Sequence, residues 1–261
     1  MKQTIDLNSD IGESFGAYQI GNDAEVIKYI SSANIACGYH AGDHNVMHET
    51  IKLALKHDVR IGAHPGLPDL IGFGRRVIQV EPKDVYNFII YQLGAIEGFA
   101  KLYDSSLFHV KPHGALFNMA SKDIELARAI AEAVYDFNPQ LLLYGLAGGK
   151  LVQAGMELGL QVVEEVFADR TYQADGSLTP RTAPNALITD FDEALERVYR
   201  MILKGEVEAT DGSSISINAQ TVCVHGDSKH ALDFVKRIKL ELENRNIQIK
   251  PVVKHSEDSS I

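Results

Sequence analysis

The stretch IACGYHAGDH, residues 35–44, sets two histidines, an aspartate and a cysteine among glycines directly after an apolar run. Imidazoles and carboxylates move protons near neutral pH and hold divalent metal ions. Such a loop is therefore either the rim of a reaction site or a polar turn with an excess of histidine. Other short runs repeat the pattern. TIDLNSD carries Asp6, Asn8 and Asp10 at alternate positions, LFHVKPH carries His109, Lys111 and His113, and TVCVHGD carries Cys223, His225 and Asp227. In a strand alternate side chains face opposite sides, so each trio shares one face. Ile5 and Leu7, Phe108 and Val110, and Val222 and Val224 take the other. His40 with Asp43, then His64, then the group Glu164, Glu165, Asp169 and Arg170, end further runs.

Strands must present these trios. The β-type runs fall at 4–8, 33–37, 59–63, 107–112, 141–146, 161–167 and 221–225, separated by amphipathic stretches at 23–31, 44–57, 82–102, 122–136, 149–158, 190–204 and 229–245. Within 82–102, Val85, Phe88, Ile89, Leu93, Ile96 and Phe99 recur near helical spacing. Seven βα units with no antiparallel hairpin signal predict a parallel sheet. Asp190 and Ser121 stand where helix N-caps belong, and Gly205 follows a lysine at a helix end. Reactive residues follow nearly every strand instead of one pair at a switch point. That favours a closed, TIM-like seven-stranded (β/α) barrel over an open doubly wound sheet. In such a barrel all strand ends open on one face, and there the trios converge into an enzyme-like site. With no linker or low-complexity stretch, the chain reads as one domain over 1–261, with the polar tail HSEDSSI starting at about 255.

Composition narrows the function classes. The 261 residues match the roughly 250 that an α/β barrel needs. A formal net charge of −10 argues against nucleic acid or an anionic membrane as partner, though not against a small anion held by local charge. No run of about 18 apolar residues and no signal-peptide segment is present, and two cysteines, Cys37 and Cys223, make no disulfide framework. A cytoplasmic protein is the simplest expectation.

Each candidate has a plainer reading. A lone histidine at a strand end is more often a capping or core residue, Glu164 and Glu165 suit a solvated strand end, and Cys37 suits core filler. GESFG and GFG suit turns. His40, His44 and His48 recur at i, i+4, i+8, yet HExxH, CxxC zinc patterns and a GxSxG elbow are all missing. Asp10, His64 and His113 are the donors that would hold a divalent ion with an open position. YGLAGGKL approaches a P-loop, but Tyr144 replaces its first glycine and Leu151 its hydroxyl residue. Gly148 and Gly149 at a helix start are then a turn sooner than an anion site.

The longer motifs DLNSDIGESFG, NIACGYHAGD, GAHPGLPDLIGFGRR, VKPHGALFN, EVFADRTYQADGSLTPR and VHGD, in order from Asp6 to Asp227, resemble the successive signatures of the LamB/YcsF family. The one departure is Ser9, where many relatives would carry cysteine. The resemblance implies a barrel akin to polysaccharide deacetylases. It also implies ATP-dependent opening of 5-oxo-L-proline to L-glutamate by a prokaryotic 5-oxoprolinase, with ATP (and Mg) as cosubstrate through partner subunits B and C.

Opening a lactam needs an activated water, a donor for the developing oxyanion and an acid for the leaving nitrogen. Asp10, His64 and His113 are the acid/base candidates, and Lys111 is the candidate to stabilise an oxyanion or a phosphorylated lactam oxygen. Arg75, Arg76, Arg170 and Arg181 match a substrate carboxylate through their guanidinium forks. Asn8, His40, Asp169 and His225 complete the substrate-binding set. The glycine-rich loops 66–74 and 173–179 are candidate lids. Two competing readings stand beside this one: a metal-dependent deacetylase-like hydrolase, and a non-catalytic subunit that only binds substrate.

Overall fold

A computed structural model describes residues 3–224 and 231–255 of the chain. Its elements in order are β1 (Gln3–Ile11), α1 (Asp23–Val26, running into one tighter turn at Ile27–Tyr29), β2 (Ser32–Ala36), α2 (His44–Lys56), β3 (Arg60–His64) and α3 (Pro82–Lys101). Then come β4 (His109–Val110), α4 (Gly114–Ala120), α5 (Ile124–Phe137), β5 (Leu142–Leu146), α6 (Lys150–Glu157) and β6 (Val162–Phe167). The chain ends with α7 (Phe191–Lys204), β7 (Glu206–Glu208), β8 (Ser214–Ser216), β9 (Thr221–Cys223), α8 (Ala231–Asn244) and β10 (Ile247–Ile249).

Strands β1 to β6 and β9 pair in parallel, and β9 returns to pair with β1, closing a seven-stranded barrel. Each of the seven sends one branched side chain outward under the helices: Leu7, Ile35, Ile61, Val110, Leu143, Val166 and Val222, all buried. The helices meet them with aliphatic stripes such as Val85, Ile89, Leu93 and Ile96 of α3. Burying that shared apolar layer is the main stabilising term of the architecture.

Several elements differ from the sequence reading. β7 and β8 form an antiparallel hairpin around Asp211–Gly212, a turn pair that the reading for parallel units passed over. β10 adds in parallel to the first residues of β1, Gln3 to Ile5, before β1 turns to β9 from Asp6 onward. The N-cap of α5 is Asp123, whose Oδ1 accepts from Glu125 and Leu126; Ser121 closes the short α4, which its seven residues hid. Asp190 caps α7 and Gly205 ends it at φ 65°, as the residue types imply. Phe108 precedes the two-residue β4 and escapes its pleat. It packs with Leu142, Tyr144 and Val163 as a plug at the foot of the barrel. Among the described residues no helix is long and apolar enough to cross a membrane. The tail beyond residue 255 lies outside the described residues.

The interior leaves little spare room around His109, and two glycines test that. A Cβ on Gly62 would come within 2.0 Å of the His109 ring, which Asn34 and Tyr144 confine. Gly62→Ala should cost about 3 kcal/mol in chemical denaturation. Gly94, exposed on α3 with nothing near its missing Cβ, should gain about 0.5–1 kcal/mol as alanine. Equal midpoints for the two variants would contradict this packing.

Candidate active site

Lys111 stands on the axis of the barrel, 2% exposed. Its Nζ lies 2.8 Å from Glu165 Oε1, 2.9 Å from Asp10 Oδ1, 3.0 Å from Cys223 Sγ and 3.2 Å from Asn8 Oδ1. Burial alone would strip its proton, but the groups around it, Asp10 foremost, hold its pKa well above the ordinary value. An ammonium has three hydrogens, and four acceptors already surround this one. The oxyanion role expected for Lys111 therefore has no free donor behind it. The lysine instead binds the strands to one another.

The neighbouring side chains are equally committed. Asn8 donates to Glu165 Oε1 (2.9 Å) and Thr221 Oγ1 (2.7 Å), and its carbonyl oxygen accepts from Asn34 and Lys111. Asn34 donates to Asn8 and to Asp10 Oδ1 (2.8 Å) and accepts from His109 Nε2 at 2.7 Å. Burial, with Lys111 nearby, lowers His109 to about 3, so this histidine is a neutral structural donor stacked on Tyr144. Below them Asp6 receives the hydroxyls of Ser31, Ser32, Tyr144 and Thr221. Asn8 is thus a positioning residue inside the barrel and not a substrate ligand.

At the open end His64 and His113 meet. His64 Nδ1 lies 2.7 Å from the Lys111 carbonyl, and His113 Nε2 lies 2.8 Å from the Phe73 carbonyl. A carbonyl only accepts, so both nitrogens carry hydrogen. That leaves His64 Nε2 and His113 Nδ1 facing each other at 2.9 Å. Asp10 Oδ2 is 3.2 Å from the first, and Glu13 Oε1 is 3.8 Å from the second. Two bare lone pairs repel at that distance, so the pair needs one cation, a shared proton or a metal ion. Burial, then the neighbouring imidazoles, hold His113 well below the ordinary histidine range.

Glu13, His40, His64 and His113 are the described residues whose ligand atoms gather within 4.8 Å of one another. The ring of His40 stacks on His113 at 3.7 Å with planes 4° apart. In-plane lone pairs of two parallel rings cannot converge on one ion, so His40 and His113 do not ligate together as they stand. An ion here would use His64 Nε2, His113 Nδ1 and the Asp10 and Glu13 carboxylates. The backbone carbonyls behind both rings are the usual orienting partners of such ligands. His40 itself is fully buried, held neutral by burial and by His64, and neither ring nitrogen makes a hydrogen bond.

These groups line an inner chamber of about 40 Å³, with Asp10, Glu13, His64, Lys111 and His113 at its floor and Phe117, Phe167 and Leu178 on its walls. Arg75, Arg170 and Arg181 stand at its mouth. Arg170 is 3% exposed, donates to the Thr179 (2.6 Å) and Ala186 (3.3 Å) carbonyls, and has its pKa lowered to about 10 by burial and by Arg181. Arg76 does not join them: it turns away to pair with Asp69, across its own loop. Asp169 and His40 do not line the chamber, and His225 lies outside the described residues. The 66–74 loop is tied to the elements around it. Gln92 holds Gly66, His113 holds Phe73, and the Gly74 carbonyl accepts from Ala115, an approach so close that a Cβ on Gly114 would meet it at 2.6 Å.

The sequence reading passed over Glu13, taken as part of a turn, and the full burial of Glu165, whose Oε2 has no hydrogen-bond partner. Strand parity with Val163 and Phe167 separates Glu165 from its outward neighbour Glu164. The latter accepts the Gly148 N–H at 2.9 Å, so a carboxylate already occupies the amide of the near P-loop.

The chain is 60% identical over 250 residues to the 5-oxoprolinase A subunit of Oceanobacillus iheyensis, covering 96% of this chain and 97% of that one. Its fold superposes on the lactam utilization protein of Thermus thermophilus with a TM-score of 0.90 at 43% identity, over 96% and 100% of the two chains. A family 4 carbohydrate esterase from Streptomyces lividans, at 10% identity and TM-score 0.50 over 98% and 95%, shares the barrel alone. The LamB/YcsF family matches residues 5–257, and the chain belongs to it.

Proposed function

We propose that this chain is the A subunit of an ATP-dependent 5-oxoprolinase and that its barrel mouth opens the ring of 5-oxo-L-proline to give L-glutamate. The observation that carries this reading is the meeting of two carboxylates and two imidazoles in a chamber rimmed by arginines. The relatives named as 5-oxoprolinase A subunits supply the substrate class. Water adds its oxygen to the lactam carbonyl carbon, the ring C–N bond breaks, and the nitrogen takes a proton. Glu13 takes the proton from water. The His64–His113 pair delivers one to nitrogen, and Asp10 stabilises the imidazolium as the carboxylate of a catalytic triad does.

A lactam is a resonance-stabilised amide; with its oxygen phosphorylated by ATP, water addition and C–N cleavage leave a γ-acyl phosphate, which a second water hydrolyses to L-glutamate and phosphate. ATP and Mg belong to subunits B and C in this scheme, because the only near P-loop here lacks its first glycine and its hydroxyl and gives its Gly148 amide to Glu164. The donor distances of 2.9 and 3.2 Å around His64 favour one second reading, a divalent ion held by Asp10, His64 and His113 in a deacetylase-like hydrolase.

Three measurements separate these readings. Purified alone with 5-oxoproline and Mg-ATP, the chain should release no glutamate, and adding subunits B and C should restore it; ATP-dependent release by the chain alone would overturn the division of labour. In the assembled enzyme His113→Ala should lower kcat by about 10²–10⁴-fold with the far-UV circular dichroism unchanged. Near-normal turnover would instead fit a subunit that only binds. Elemental analysis should find far less than one transition metal per chain, and the melting temperature should not move on chelation; one tightly held ion would favour the metal hydrolase.

A further inference from the structure

The loop between β3 and α3 grips His113 at two points. The Pro65 carbonyl accepts its backbone N–H at 2.8 Å, and the Phe73 carbonyl accepts its Nε2–H at 2.8 Å. The ring of Phe73 also stands edge-on to the His113 ring, with centroids 5.4 Å apart. Carbonyl and ring thus reach His113 from one residue, and that residue sits at φ 54°. An L side chain in the left-handed region crowds its own backbone, so a phenylalanine stays there only when its surroundings hold it.

Asp69 supplies the hold from both sides. Its Oδ1 accepts the Gly72 N–H at 3.0 Å, one residue before Phe73, and its backbone carbonyl accepts the Gly74 N–H at 2.9 Å, one residue after. The carboxylate is buried, and Arg76 Nε reaches both of its oxygens, at 3.0 and 3.1 Å. No side chain fits within this clasp, since a Cβ on Gly72 would collide with Asp69 Oδ2. At the start of the loop Gln92 of α3 bonds both the N–H and the carbonyl of Gly66, next to Pro65. A neutral imidazole can carry its one ring hydrogen on either nitrogen, and the partner of one nitrogen sets the state of the other.

We propose that Asp69, clasped by Arg76, is a positioning residue for His113. By holding Phe73 in its left-handed turn it keeps the Phe73 carbonyl on Nε2, which fixes the tautomer whose Nδ1 is bare toward His64, 2.9 Å away. Asp69 lies outside the chamber lining and acts only through that carbonyl. The tautomer stands on these contacts alone, whereas its consequence for turnover rests on the 5-oxoprolinase reading.

Nitrogen-15 NMR on the intact chain, labelled at histidine, reads the tautomer directly, and the His113 signals are those lost in His113→Gln. The wild type should show Nε2 protonated and Nδ1 bare. In Asp69→Ala the ring should sample both tautomers, and the assembled enzyme should lose about 10–100-fold in kcat with KM little changed. Asp69→Asn keeps an oxygen for the Gly72 N–H and should recover most of both. Should thermal unfolding show that Asp69→Ala does not fold, Arg76→Met loosens the same clasp from a side chain 61% exposed and should shift the tautomer in the same direction. A wild-type hydrogen on Nδ1, an unchanged tautomer in folded Asp69→Ala (or, in its place, Arg76→Met), or equal loss in Asp69→Asn and Asp69→Ala would overturn the proposal. A shifted tautomer with unchanged kcat would overturn it too, by cutting the clasp off from catalysis. If the wild-type assembly makes no glutamate, the 5-oxoprolinase reading falls, and the NMR result still decides the clasp.

Discussion

One ammonium group, Lys111 Nζ on the barrel axis, sets the terms for everything above and below it. Parallel barrels usually fill this space with layers of branched aliphatic side chains. Here the filling is Asn8, Asn34, His109, Glu165 and Cys223, all buried, and each must find its partners inside the barrel. A buried charge is tolerable only when its counter-charges and hydrogen bonds are complete, and removing one member strands the others. Lys111 supplies the counter-charge for Asp10 and Glu165 together. It thereby fixes Asp10, through a shared Oδ1, at the distance from which Oδ2 reaches His64. The strength of the network lies in its connectivity: Asp10 cannot rotate without breaking bonds to Lys111 and Asn34.

Depth along the axis then decides what a given residue type does. Three histidines sit within this column, and their environments separate them. His109, in the middle layer, is pushed to about 3 by burial and serves as a neutral donor. His113, at the top, is also held neutral, but its free nitrogen faces another imidazole. His64 bridges the layers, bonded to the Lys111 backbone on one side and flanked by Asp10 and His113 on the other. Aspartates divide in the same way. Asp6 at the foot is caged by four hydroxyls, Asp10 at the mouth keeps an oxygen toward the chamber, and only two residues of one strand separate each layer from the next.

Strand periodicity made much of this readable. Asp6, Asn8, Asp10 and His109, Lys111, His113 could be placed on inward faces because a pleat permits only two directions, and seven such faces imply a closed barrel. Roles within the inward set were not readable, since they depend on pairings between strands far apart in sequence. Asn8 and Lys111 look as available for substrate as Asp10 does until their partners are counted. Glu13 lies beyond the pleat, brought back to His113 by the turn at Gly12 (φ 72°), so no periodicity marks it. Arg75 and Arg76 are adjacent and chemically alike; only Asp69 across the loop decides that one lines the mouth and the other does not. The β7–β8 hairpin was legible in its Asp-Gly pair, and the expectation of uniform βα units obscured it.

The same geometry bears on which atom attacks. Cys37 is pushed up to about 12 by burial, and Cys223 is driven well above the ordinary thiol value although Lys111 lies 3.0 Å away. A thiolate is the nucleophilic form of cysteine, and neither residue reaches it at neutral pH. Neither thiol lines the chamber, and among the described residues its lining holds no serine or threonine. What remains at the floor are carboxylates and imidazoles, groups that move protons. The arrangement favours hydrolysis over covalent catalysis. In the proposed ring opening, Asp10, Glu13 and the histidine pair serve the attacking water, and the arginines face the incoming ring. The barrel then has to supply only position and protons, which its buried polar column holds in register before any substrate enters.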